Sequence, residues 1–222
     1  MHAFTDLETA AYCPRKLYYR RTRGDEEPPE EASEAARRVR EIAFRYPELL
    51  EPTSEIPPEV EATPTQFRTR LSCARERFDR EVWAGLADPD ARDVFLEGKE
   101  ARGTAHKIFG DPPKPSLVFA GEPPDRGVWE PQGVRAVAAA KALSWERQQP
   151  VERVFAEYPA YGVVREVRLT TRRKAVYRRA VRVAESMDGP PARVESDGKC
   201  RACEYRTTCG TRTRSLRSLL GL

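Results

Sequence analysis

Cysteine is the residue in this chain whose spacing points most directly to chemistry. Cys200, Cys203 and Cys209 form a C-x2-C-x5-C run near one end, and Cys13 stands alone near the other. Two thiolates three residues apart bind one metal centre because the turn between them points both sulfurs inward. A third follows after a short loop, and a fourth must arrive from elsewhere in the fold. Four thiolates suit a [4Fe–4S] cluster or a zinc ion. Zinc sites usually pair two C-x2-C units or add histidine. This chain has one such unit and two histidines, His2 and His106, so iron–sulfur is favoured, with zinc as the alternative. Either centre would tie the N-terminal segment to the C-terminal one. The fifth cysteine, Cys73, falls among Leu71, Ala74 and Phe78 in a helical pattern and is expected to be a buried small hydrophobe.

Disulfides are the rival use of these cysteines, and they belong to oxidising compartments. The opening Met-His-Ala-Phe-Thr-Asp has neither the charged n-region nor the apolar h-region of a secretory signal. No stretch approaches the run of about eighteen apolar residues that a membrane-spanning helix needs. The expectation is therefore a cytoplasmic protein with reduced cysteines and no membrane partner.

Charge adds a second clue. The 222 residues carry 39 Lys and Arg against 35 Asp and Glu, for a net charge of +4. That balance is weak evidence by itself, but the basic residues crowd the last third while Asp25, Glu26, Glu27, Glu30 and Glu31 lie early. Arg168, Arg172, Arg173 and Lys174 are the candidates for contact with a nucleic-acid backbone. The alternative is a solvated helix face in an Arg-rich protein.

The elements that must position these residues follow from pattern. Thr5-Asp-Leu-Glu8 reads as a capping box opening a short helix that runs from Asp6 towards Cys13. A charged linker over 24–31 leads into a helix at roughly 32–46, and Pro52, Pro57, Pro58 and Pro64 mark an extended connector. Phe67, Leu71, Ala74, Phe78, Val82 and Trp83 predict one helix over about 65–87, ended by Asp88-Pro-Asp90. Short strands are expected at 94–96, 103–109 and 116–120, then an Ala-rich helix at about 134–147. A hairpin of strands at about 151–158 and 162–169 turns at Pro159-Ala-Tyr-Gly162. Thr170-Thr171 then caps a basic helix over about 172–187, broken by Gly189-Pro-Pro191. That order predicts a mixed α/β core with no internal repeat. Four regions result: an N-terminal cluster segment (1–20), a helical region with the Pro-rich connector (21–90), the α/β core (91–190), and the cysteine segment with its basic tail (191–222).

Two segments carry a family resemblance. Tyr12-Cys-Pro-Arg-Lys-Leu-Tyr-Tyr19 and Lys199-Cys-Arg-Ala-Cys-Glu-Tyr-Arg-Thr-Thr-Cys209 resemble the first and last cluster segments of the CRISPR-associated, RecB-like iron–sulfur exonucleases. The hairpin, the basic helix and Gly189-Pro-Pro191 fall in the order expected of that family, and the likeness covers roughly 1–20 and 92–210. It implies a restriction-endonuclease-like, PD-(D/E)XK core with a mixed sheet, a helical insertion and a C-terminal four-cysteine iron–sulfur knot. It also implies a DNA partner and an Mg²⁺ or Mn²⁺ site made by an Asp and a Glu-x-Lys. In register, however, His106 takes the Asp position, Phe119 and Gly121 take the Glu and Lys positions, and Arg135 and Ala139 replace the usual Gln and Tyr. The bare pattern Asp90…Glu97-Gly-Lys99 offers a counter-match, but six intervening residues are too few for two strands.

Three functions stay in view. One is a nuclease-like scaffold with a cluster and no hydrolytic site, binding nucleic acid through its backbone. Another is an active exonuclease with a rearranged site recruiting His106, Asp111, Glu122 or Asp125. The last is a protein-interaction partner docking through Leu216, Leu219 and Leu220 of the tail.

Overall fold

The computed structural model describes residues 1–23 and 30–211. Leu216, Leu219 and Leu220 of the tail and most of the charged linker lie outside them. The chain begins with β1 (His2–Ala3), α1 (Phe4–Tyr12) and α2 (Pro14–Arg23), then α3 (Glu30–Ile42), α4 (Tyr46–Leu50), α5 (Pro64–Arg77) and α6 (Arg80–Ala87). There follow β2 (Ala91–Glu97), β3 (Ala101–Phe109), β4 (Lys114–Val118), α7 (Glu130–Arg147), β5 (Arg153–Tyr158) and β6 (Val163–Arg168). The chain closes with α8 (Thr171–Glu185), α9 (Asp197–Arg201) and α10 (Arg206–Thr211). Among the described residues, no helix is long and apolar enough to cross a membrane.

The fold is α/β with one mixed six-stranded sheet. β3 pairs with β1 in parallel and with β2 and β4 antiparallel; β4 and β5 run parallel, and β5 and β6 form the antiparallel hairpin. Gly162 turns that hairpin at φ +63°, a value that strains any residue with a Cβ. The parallel β4–β5 pair needs a crossover, and α7 supplies it.

Strand alternation splits the core between two faces. Ile108, Leu117, Val154 and Ala156 join one apolar cluster with α1, α7 and α8. Phe109, Val118 and Phe155 join a second with the helices of the 42–86 region. α7 is buried almost all round, and its run Ala136–Ala140 is small enough for close approach. Gly103 serves the same end on β3, since a Cβ there would stand 2.6 Å from the Phe4 ring and push α1 off the sheet.

Three local expectations are corrected. The box at Thr5 and Glu8 does not form, because α1 starts at Phe4 without a side-chain cap and Glu8 turns instead to Arg135 at 3.4 Å. The long helix over 65–87 is two helices. Phe78 goes extended and buries its ring edge-on against Phe155, and Asp79 caps α6 by accepting from Val82 N at 2.8 Å. Cys73 is exposed on α5, not buried, because Phe67, Leu71 and Ala74 are the residues that face inward. The Thr170 cap is as expected, accepting from Arg173 N at 3.3 Å.

Candidate functional site

Cys13 sits in the break between α1 and α2. Its N–H closes α1 on Thr9 O at 2.8 Å, and its carbonyl accepts from Lys16 N at 3.0 Å, so the sulfur is presented from a bend and not from a helix face. Pro14 opens α2 where a missing N–H costs nothing. Across from it, Cys200 lies on α9, Cys203 in the following turn, and Cys209 on α10. The four cysteines line one pocket together with Tyr12, Arg193 and Lys199.

Direct contacts hold the two ends together around that pocket. Lys199 Nζ donates to Tyr12 O at 3.1 Å and lies 4.8 Å above the Tyr12 ring. Tyr19 stacks on Tyr205 at 5.8 Å, Lys16 pairs with Glu204 at 3.3 Å, and Arg15 donates to Pro191 O at 3.3 Å. Burial raises the Tyr12 phenol, and the neighbouring Cys203, Cys13 and Cys200 raise it further. Arg193 is held charged by a hydrogen bond to Cys200 and by the charges of Cys200 and Cys209. Cations thus surround a group of potential thiolates, which is what a thiolate-bound metal centre of net negative charge requires.

Among the described residues, no three His, Cys, Asp or Glu side chains are close enough together to hold a metal ion. The four sulfurs share a pocket without being drawn into a coordination shell. The donor set itself fits a thiolate-ligated group: four cysteines from three segments, cations around them and, among the described residues, no competing carboxylate on the pocket wall.

The second candidate site lies under α7, on the first of the two sheet faces. His106 is buried, and its Nδ1 accepts from Val118 N at 2.8 Å. The β3–β4 ladder ends at the Lys107–Ser116 pair, so the imidazole supplies an acceptor that the backbone no longer provides. Burial, with Arg135, Arg40 and Lys107 nearby, pushes His106 down to about 3. Phe119 stacks on Tyr158 at 5.6 Å, and the Arg135 guanidinium lies 5.5 Å from the Phe119 ring. Tyr158 donates to Gln132 Oε1, and Arg135 pairs with Glu8. Burial raises Glu8 although Arg135 opposes it. A hard divalent cation needs several converging oxygens; this space holds an aromatic stack, a guanidinium and one carboxylate already paired.

Among the described residues, the alternative ligands, Asp111 included, form no metal-holding group either. Asp90 and Glu97 flank or end the same strand, β2, about 23 Å apart by strand rise, and Asp90 accepts from Gly110 N at 2.8 Å. Glu122 and Asp125 contribute backbone carbonyls, to Trp129 and Arg165 respectively.

The depressed His106 has a measurable consequence. Between about pH 3 and 6.5 the unfolded chain binds a proton at this residue that the folded protein refuses. Its contribution to stability is therefore present above pH 6.5 and is lost as pH falls towards 3, by up to about 1.4 kcal/mol per pH unit. Urea midpoints at pH 7 and pH 5 are expected to differ less for His106→Gln than for the unaltered protein. An equal difference would mean that His106 is not held neutral.

The proposed backbone-binding residues gather at the start of α8, where Arg173 donates to Arg168 O at 3.0 Å. Arg168 is engaged by Glu166 at 2.8 Å. Arg172 and Arg173 line a groove beside Trp129, and Lys174 lines a different cleft with Tyr177 and Arg178.

Sequence pattern missed a buried ion pair on the opposite face. Lys107 Nζ donates to Glu157 Oε2 at 2.8 Å and to the carbonyls of Ala43 and Leu86 at 2.6 Å each, with both charged side chains fully buried. Ser116 donates to the other Glu157 oxygen. Tyr46 is fully buried close to Glu157, which together with desolvation raises its phenol well above the usual value. Burial lowers the Lys107 ammonium, and Glu157 works against that shift. The available signal was a charged residue at an inward strand position: Lys107 is two residues from Phe109, and Glu157 two from Phe155.

No protein-family profile and no curated protein matches this chain.

Proposed function

We propose that this protein is a non-catalytic nucleic-acid-binding scaffold on a nuclease-like, PD-(D/E)XK-type core, clamped by a cysteine-ligated metal centre. Support for the core comes from element order: β2, β3 and β4, then α7, the β5–β6 hairpin and α8, with β4 and β5 parallel through α7, follow the order of three strands, helix, hairpin and basic helix expected from the sequence. What carries the loss of catalysis is the Phe119–Tyr158 stack under Arg135, in the space where two carboxylates and a lysine would have to meet a metal ion. Cys13, Cys200, Cys203 and Cys209 would hold a [4Fe–4S] group, or zinc in its place. When bound, such a group supplies cross-linking through thiolates, so its contribution is to folding and not to hydrolysis.

The test is a time course on anaerobically purified protein with end-labelled single-stranded DNA and Mn²⁺, alongside a chelator control. Intact DNA at high protein excess is the expected result. Shortening that stops with chelator would overturn the non-catalytic assignment and point to a rearranged metal site.

A further inference from the structure

At the other end of α7 from Phe119 there is an open cleft of about 740 Å³, between the C-terminal half of α7, the β2–β3 turn, residues 148–152 and the start of α8. Its size is that of a small-ligand site, and its charges are unbalanced. Lys99, Lys141, Lys174 and Arg178 line it against two carboxylates, Glu100 and Glu152. Glu100 is already engaged, by Lys141 at 3.3 Å and by the Tyr177 hydroxyl at 3.1 Å. Lys99, Lys174 and Arg178 have no ion-pair partner among the described residues. Three like charges around one concavity repel one another, and an anion bound between them relieves that repulsion.

The cleft also presents a flat aromatic surface. Trp145 follows Lys141 by one helical turn on the same face of α7 and is 54 % exposed. A large indole left in water beside free cations makes a platform for a planar aromatic ring that carries negative charge. A phosphoserine peptide or a simple anion would use the cations and leave the indole idle. A nucleotide uses both.

We propose that this cleft binds one nucleotide unit, its base stacked on Trp145 and its phosphate between Lys99, Lys174 and Arg178. The inference deepens the nucleic-acid reading and rests on it where the nucleotide belongs to a strand. It moves the binding surface from the first turn of α8 to the far side of that helix. Lys174 is the residue that belongs to both.

The experiment measures binding of a labelled oligothymidylate and of thymidine monophosphate to the full chain, at two salt concentrations. Proteins compared are the unaltered chain, Trp145→Ala and Lys174→Gln/Arg178→Gln, all substitutions at exposed positions that leave the melting temperature in place. Trp145→Ala is expected to weaken oligonucleotide binding about tenfold, in line with the loss of one base stack. The double variant is expected to weaken binding and to flatten the salt dependence by about 1.4 logarithmic units per decade. If the unaltered protein and both variants bind the oligonucleotide equally, the cleft is not the site, while the scaffold function stands. If the oligonucleotide does not bind but the mononucleotide does, and Trp145→Ala abolishes it, the cleft stands as a nucleotide site and the scaffold function falls. Failure of both ligands overturns both.

Discussion

Replacing Lys107 with alanine is expected to cost about 3–5 kcal/mol of stability, the usual cost of stranding one member of a buried ion pair. All three ammonium protons are in use, on Glu157, Ala43 O and Leu86 O. The rings of Phe44 and Tyr46 each lie 5.0 Å from the charge. Removing the ammonium leaves a carboxylate and two carbonyls short of a partner at a fully buried site. The effect reaches beyond one strand. Ala43 follows α3 and Leu86 lies on α6, so Lys107 pins two helices of the 30–87 region to the middle of the sheet. The double variant Lys107→Met/Glu157→Met is expected to recover part of the loss by removing the orphaned charge. It should not recover all of it, because Ala43 O and Leu86 O stay unpaired. Urea unfolding of the single and double variants measures both effects. A single-variant loss below about 1 kcal/mol would mean that the pair is not dry.

Cys200→Ser is expected to remove the proposed metal centre and loosen both ends of the chain together. Metal-dependent folding of small cysteine sites is worth on the order of 10 kcal/mol, and here part of that is backed by the Lys199–Tyr12 and Tyr19–Tyr205 contacts. The variant should therefore keep its sheet, lose the absorption near about 400 nm expected of an iron–sulfur group, and melt at a lower temperature. Protease cleavage should become faster after α1 and in the 191–209 segment. Cys73→Ser is the control: its thiol is exposed on α5 and does not line the pocket of the other four cysteines, so metal and sulfide content per chain should not change. Colourless, metal-free unaltered protein that melts with Cys200→Ser would sink the metal-centre proposal. Zinc in place of iron would keep the clamp and change its identity.

Local signals determined much of this protein before any contact was known. Thr170 as a helix cap, the turn at Gly162 and the short strand expected at 103–109 each act within a few residues. Such signals survive in sequence because the interaction that makes them is short-range. That His106, Phe119 and Arg135 differ in type from the residues the resemblance implies was legible too. What their side chains do instead required the fold. The stack of Phe119 on Tyr158 joins β4's end to β5's, and His106 accepts from Val118 only because the β3–β4 ladder ends one pair earlier. The split at Phe78 was hidden for the same reason. An apolar residue at helical spacing looks like one more core position until Phe155, 77 residues later in the chain, is there to hold it extended. Lys107, Glu157, Ala43 and Leu86 are scattered along the chain and meet only when the sheet and the two helices close over them. Cys73 makes the opposite point: its neighbours gave it an apolar face that the packing of α5 assigned to Phe67, Leu71 and Ala74. Periodicity records which elements form. Which faces they bury, which charges are left without water and which cations share a cleft depend on contacts across the whole chain, and these were decided by tertiary structure.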